Sequence, residues 1–205
     1  AVIVFAPASY DLDAMLSGIR SVVGDVPLFG ASSAGEMCHR AFSGSVVVMA
    51  LASPYLSVSV GLGKGVSTDC RGAVIEAIEG GTVKRYFNPK NSSYYNKMTR
   101  NGRSVFAILF SPGCTAASDS YSPEILEELK RLSQGCISFF GGSAVDPAGT
   151  TGQENFVFYG NRAYSDSMVL AVFETGLKFG IAMGHGFHPT GKRVVATKCR
   201  GREVL

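Results

Sequence analysis

The residues best suited to chemistry sit in two short turns. The first is Ala31-Ser32-Ser33-Ala34-Gly35-Glu36, following the apolar run Val26 to Ser32. The second is Gly141-Gly142-Ser143-Ala144-Val145-Asp146, following Ile137 to Phe140. Each turn offers hydroxyls and one acid: Ser32, Ser33 and Glu36 in one, Ser143 and Asp146 in the other. Backbone N–H groups in such turns can cradle a carboxylate, and the acid can receive an ammonium. That is the inventory of an amino-acid-like binding site. The same glycines and serines also suit tight packing alone.

Other chemistries match less well. Gly30-Ala31-Ser32-Ser33-Ala34-Gly35 misses the Gly-x-Ser-x-Gly elbow of a serine hydrolase by one residue, and no helical pattern follows it. Serine-dependent hydrolysis through Ser32 or Ser143 is therefore the lesser reading. Cys38 and His39 are adjacent, and sequence neighbours seldom face each other as a nucleophile and base must. Gly61-x-Gly63-x-Gly65 lacks the dinucleotide spacing, and there is no GxxxxGK[ST] phosphate loop. His185 and His188 lie three apart around Gly186. That spacing would share a metal on a helix, but Gly184, Gly186 and Pro189 oppose one, and in a strand the two rings point to opposite faces. A single histidine, His185, His188 or His39, remains open as an axial haem ligand. The five cysteines include no CxxC pair, which argues against structural zinc and for a reducing, cytoplasmic compartment.

The elements that must position these turns are legible from pattern. Val2 to Ala6 is a buried strand. Asp11 caps a helix carrying Leu12, Met15, Leu16, Ile19, Val22 and Val23, ended by Gly24. Ser45 to Leu51 and Leu56 to Leu62 are strands whose short polar connection suggests an antiparallel hairpin. The alternating glycines after Val60 suggest a bend or a close backbone approach. Asp69 to Glu79 is a second helix. Residues 82 to 103 read as a long polar connection. Val105 to Phe110 begins a second series: a helix from Ser122-Pro123 with Ile125, Leu126, Leu129 and Leu132 on its apolar face, then strands at Ile137 to Phe140, Phe156 to Tyr159, Ser167 to Phe173, Leu177 to Met183 and Arg193 to Thr197.

The two series resemble each other. Leu28-Phe29-Gly30-Ala31-Ser32 parallels Phe139-Phe140-Gly141-Gly142-Ser143, and Ser45 to Ala50 parallels Ser167 to Val172. The expected fold is mixed α/β: an internally duplicated strand-helix-strand-hairpin unit, with mixed or antiparallel sheets and outer helices. The halves are about 1–80 and 104–205, joined by 81–103. Composition agrees with a packed domain: 205 residues, 46% hydrophobic and 17% charged. A net charge of +3 without a basic run gives no nucleic-acid footprint. No apolar run is long enough to insert in a membrane. The chain begins without Met and stops mid-pattern at Leu205, as a piece of a longer protein would.

Seven strings in order resemble the FIST domain, a sensory module of bacterial signalling proteins. They are Tyr10 to Asp13, Val26 to Glu36, Val46 to Leu51, Gly63 to Ser67, Leu109 to Gly113, Phe140 to Ala144 and Gly184 to Lys192. The chain departs from that pattern at Phe187, where the family often has Trp, and at Val145, where it often has Gly. The resemblance implies an intracellular ligand-binding sensory domain and no enzyme. Its ligand would be a small polar or zwitterionic molecule held near Ser32, Ser33, Glu36, Gly141, Gly142, Ser143, Asp146 and His185, without a cofactor. The haem-based nitric oxide sensors among such relatives keep that alternative open. The implied partners are a C-terminal part of the module and a signalling output domain or kinase.

Overall fold

The computed structural model describes residues 1–87, 101–114, 120–145, 155–182, 184, 186–200 and 203–204. The chain forms β1 (Val2–Ala6), α1 (Leu12–Val23), β2 (Leu28–Ser32), β3 (Glu36–Met37), β4 (Ala41–Phe42), β5 (Val47–Ala50), β6 (Leu56–Lys64) and α2 (Cys70–Glu79). A 3₁₀ turn at Thr82–Tyr86 follows. Then come β7 (Ser104–Ser111), α3 (Ser122–Leu132), β8 (Ser138–Ser143), β9 (Phe156–Tyr159), β10 (Arg162–Ser165), β11 (Ser167–Thr175), β12 (Cys199–Arg200) and β13 (Glu203–Val204).

Two mixed sheets carry the fold, in strand orders β10-β9-β2-β1-β5 and β6-β11-β7-β8. In the first, β1 runs parallel to β2 and antiparallel to β5. In the second, β7 runs parallel to β8 and antiparallel to β11. Side chains alternate across a strand, and this divides the core in three. Val2, Val4 and Ala6 pack with Leu12 and Leu16 of α1. Ile3, Phe29 and Ala31 join Phe110, Val169, Ala171 and Phe173 in a layer between the sheets. Leu109, Met168, Leu170 and Val172 meet Val74, Ile125 and Leu129 of α2 and α3. The order is therefore helix, sheet, sheet, helices, as the expected outer helices require. Each fully buried Leu, Ile or Phe in these layers contributes about 1.5–3 kcal/mol.

The helix signals act locally as expected. Asp11 accepts from the Ala14 amide at 3.1 Å, and Gly24 ends α1 at φ 67°. Val22, expected on the apolar face, is 85% exposed; Leu12 and Leu16 form the buried stripe, with Met15, Ile19 and Val23 beside it. The alternating glycines of β6 let α2 lie directly on the strand: a Cβ at Gly61 would stand 1.8 Å from the Ala77 carbonyl oxygen, and one at Gly63 1.9 Å from that of Ala73. On α3, Glu128 receives both Arg131 (2.8 and 2.5 Å) and Arg71 (3.0 Å). The Arg131 hydrogen bonds hold the Glu128 carboxyl below its usual range, with Arg71 adding to the effect.

Three expectations need correction. β5 and β6 form no hairpin: β5 pairs with β1 in the first sheet and β6 with β11 in the second. Residues 51–55 cross between the sheets, a step of about 10 Å that five residues span easily. The expected polar connection begins with a packed 3₁₀ turn: Val83 and Tyr86 are fully buried, and the Tyr86 hydroxyl donates to Glu174 at 3.1 Å, while residues 88–100 lie outside the described residues. Buried apolar and aromatic faces, hidden among Lys and Arg in sequence, outweigh the polar pattern there. Residues 178–182 and 193–197 lie in no strand, although Phe179 already rests on Phe106, ring centroids 4.5 Å apart.

Candidate functional site

The two parallel strand pairs end side by side, and a cleft of about 410 Å³ opens beyond their C-terminal ends. One wall is Ala31, Ser32, Ser33, Ala34 and Gly35; the other is Gly141, Gly142, Ser143 and Val145; Phe5 and Phe110 complete the lining. The ends of parallel strands are where side chains and turn amides converge on open space. Phe5 and Phe110 meet edge to face, with centroids 5.4 Å apart. Each turn is pinned to its neighbouring strand in the same way: Ser33 donates its amide to the Ala6 carbonyl at 3.0 Å, and Ala144 donates to that of Ser111 at 2.8 Å. One further bond ties the walls together, from the Val145 amide to the Ser32 carbonyl at 2.9 Å.

The hydrogen-bonding capacity of the walls differs. Ser32 is 2% exposed, and its hydroxyl accepts from the Phe156 amide at 3.0 Å. Ser33 donates its hydroxyl to Glu36 Oε1 at 2.8 Å, and the other carboxylate oxygen accepts the Ser45 hydroxyl at 3.1 Å and amide at 3.3 Å. Glu36 is itself 2% exposed and does not line the cleft. Among the described residues the amides of Ala34 and Gly35 have no hydrogen-bond partner. Across the cleft, the hydroxyls of Ser111, Ser122 and Ser143 form a triangle with sides of 2.7, 3.2 and 3.0 Å, and Ser120 donates into it at Ser122. A hydroxyl donates once and accepts twice. In a closed ring each member donates once and accepts once, and Ser120 takes the second acceptor position of Ser122. With the ring closed in that sense, Ser143, exposed at the rim, keeps one for an incoming donor; either hydroxyl can donate in each of its two bonds.

The sequence-predicted residues thus divide. Ser32, Ser33, Gly141, Gly142 and Ser143 come together at the cleft. Glu36 sits behind the first turn. Asp146 and His185 lie outside the described residues. His39 and His188 are both exposed away from the lining, and His39 packs on Phe42 at 5.5 Å. Among the described residues no group of three His, Cys, Asp or Glu could hold a metal ion. All five cysteines are free. The turn after β2 runs into β3, so Ser32 lacks the following helix of a hydrolase elbow. Sequence reasoning missed Phe5, Phe110, Ser111 and Ser122. The turn Ser111-Pro112-Gly113, standing after a buried strand as the first turn does, was the available signal.

These features define a four-layer α/β domain with a polar-rimmed cleft where its two sheets end. Residues 1–205 match the family model of the FIST N domain, and the chain belongs to that family of sensory-type domains. No curated protein matches the chain. Among the described residues no helix is long and apolar enough to cross a membrane.

Proposed function

We propose that the chain senses a small polar, amino-acid-like molecule by binding it between the two turns. The observation that carries this reading is the convergence of Ser32 to Gly35 with Gly141 to Ser143 on one cleft, from opposite ends of the sequence. Its volume falls in the range of roughly 300–1,000 Å³ found for small-ligand pockets. The two walls suit the two ends of such a molecule. The amides of Ala34 and Gly35 suit an acceptor such as a carboxylate, because small-residue turns present N–H groups as an anion cradle. The remaining acceptor position on Ser143 suits a donor such as an ammonium. Phe5 and Phe110 give the cleft an apolar floor against which a short side chain can rest.

The binding signal would pass to a C-terminal part of the module and then to an output domain or kinase. Isothermal titration of the protein with each of the amino acids tests the reading. Heat with at least one of them, lost in Gly142→Leu, is the expected result. No heat with any of them from folded protein defeats it.

A further inference from the structure

Two cavities of about 540 and 400 Å³ share Val26, Pro27, Val58, Ser59 and Thr82, and so form one groove. β2 links this groove to the cleft: Leu28 at its start lines the groove, and Ser32 at its end lines the cleft. One wall of the groove is Val26 and Pro27, with Tyr159 and Gly160 beside them. Another is Gly81, Thr82 and Arg85 at the 3₁₀ turn. β6 contributes Val58, Ser59 and Val60.

β6 is an edge strand of the second sheet and, at nine residues, longer than β5, β8 or β10, the other edge strands of the two large sheets. Leu56 to Gly63 carry neither a charge nor a proline, the usual guards of an open edge. The register with β11 is unbroken from Leu56 to Lys64. At its two ends, the Leu56 amide donates to the Ser53 carbonyl at 3.3 Å and the Lys64 amide to Glu76 Oε2 at 2.8 Å, both off the β11 ladder. Along an antiparallel strand, alternate residues turn both backbone groups to the same side. Val58, Val60 and Leu62 therefore present N–H and C=O outward, and among the described residues these groups have no hydrogen-bond partner. A Cβ on Gly81 would stand 3.3 Å from the Val60 carbonyl oxygen, which sets this open edge along the groove.

The charge at one end of the groove is held in place. Arg20 Nη1 donates to the carbonyls of Gly24 and Val26 at 2.6 and 2.7 Å, and Nη2 lies beside Gly160, 3.8 Å from where a Cβ there would stand. Among the described residues no carboxylate pairs with Arg20; Asp25 lines the same groove without reaching it. Arg85, toward the other end, already meets Ser59 at 3.4 Å and Glu174 at 3.8 Å. A guanidinium fixed by two carbonyls and left without a counter-ion is suited to a carboxylate.

We propose that the groove binds an extended acidic peptide segment of a partner protein, which pairs with Val58 and Val60 as a further strand of the second sheet and sets a carboxylate on Arg20. Main-chain bonds to a sheet edge supply affinity in this mode, and the flanking side chains supply choice. Three peptide residues, a span of about 10 Å, reach both Val58 and Val60. Val26 and Pro27 offer an apolar wall, and Arg20 selects the sign of charge. With walls on both sides of the edge, a single extended chain fits the groove; the β6 edge of a second copy, flanked by the same walls, does not. This docking is independent of what fills the cleft.

The probe is acetyl-Glu-Val-Thr-Val-Glu-amide, with an acid at each end so that either strand direction brings one to Arg20. It is titrated into the full chain at up to about 5 mM and followed by amide chemical shifts and hydrogen exchange. The amides of Val58, Val60 and Leu62 are expected to shift together and to gain protection, because they pass from solvent into a ladder. The same peptide with Lys for both Glu should bind at least about 10-fold more weakly, and Arg20→Gln should remove that preference. Val58→Pro should block both peptides; its amide faces away from β11, so the ladder loses no bond. Should either variant fail to fold, the comparison of the two peptides on the unaltered chain still decides. No shift at the three amides, or equal binding of the Glu and Lys peptides, overturns the proposal. So does a concentration-dependent dimer in sedimentation that Val58→Pro abolishes, which would give the edge to a second copy.

Discussion

The two turns at the cleft occupy matching places in the fold but use their polar groups differently. The first turns its hydroxyls inward: Ser32 holds the Phe156 amide, and Ser33 joins Ser45 on the buried Glu36. The second leaves Gly141, Gly142 and Ser143 exposed, and the Ser143 hydroxyl belongs to a ring of serines at the start of α3. The first turn is a clamp whose spare capacity is in its amides. The second is a rim whose spare capacity is in a hydroxyl. The proposed binding mode uses both, the amides of one wall and the hydroxyl of the other.

The contrast can be broken in graded ways. Gly141→Ala should have the largest effect, about 3–5 kcal/mol of stability in urea unfolding, because the new Cβ meets the Leu109 carbonyl and the backbone sits at φ 148°. Next comes Glu36→Ala, about 2–4 kcal/mol, since it strips a buried acceptor from two hydroxyls and an amide. Ser143→Ala should cost about 1 kcal/mol or less, because its hydroxyl is exposed; equal losses at Glu36 and Ser143 would erase the distinction between the walls. Gly142→Leu should change stability by about 0.5 kcal/mol at most, as a Cβ there meets nothing within 4 Å, and yet block ligand.

The smallest effect concerns α3, which carries Ser122. The depressed Glu128 carboxyl contributes stability that is complete above its unfolded pKa and is lost as pH falls through the lower folded value. Glu128→Gln should flatten that acid limb in urea unfolding, and less so at high salt, because Arg71 and Arg131 are both largely exposed.

How much of this was legible in the sequence follows from where the information lies. β1, α1, α2 and α3 announce themselves through local periodicity and caps such as Asp11 and Asp69, because those signals act within a few residues. The two serine turns were legible as composition. The partner of β6 was not, because nothing within residues 51–64 says that its edge belongs to β11 rather than β5. Tyr86 and Phe87 were hidden because two adjacent buried aromatics between Arg85 and Asn88 set no period. The fate of Glu36 was equally out of reach, since its partner Ser45 lies beyond a strand pair whose length no local pattern sets. Phe5 and Phe110 read as ordinary strand residues until the two sheets bring them edge to face.

The proposed binding mode requires one molecule to touch both walls at once. Amide chemical shifts, recorded while the protein is titrated with whichever amino acid gives heat, test this most directly. The expected result is that Ala34, Gly35, Gly142 and Ser143 shift together along a single saturating curve, with β12 and β13 unmoved. Shifts confined to one wall, or centred on residues away from the cleft, would contradict it.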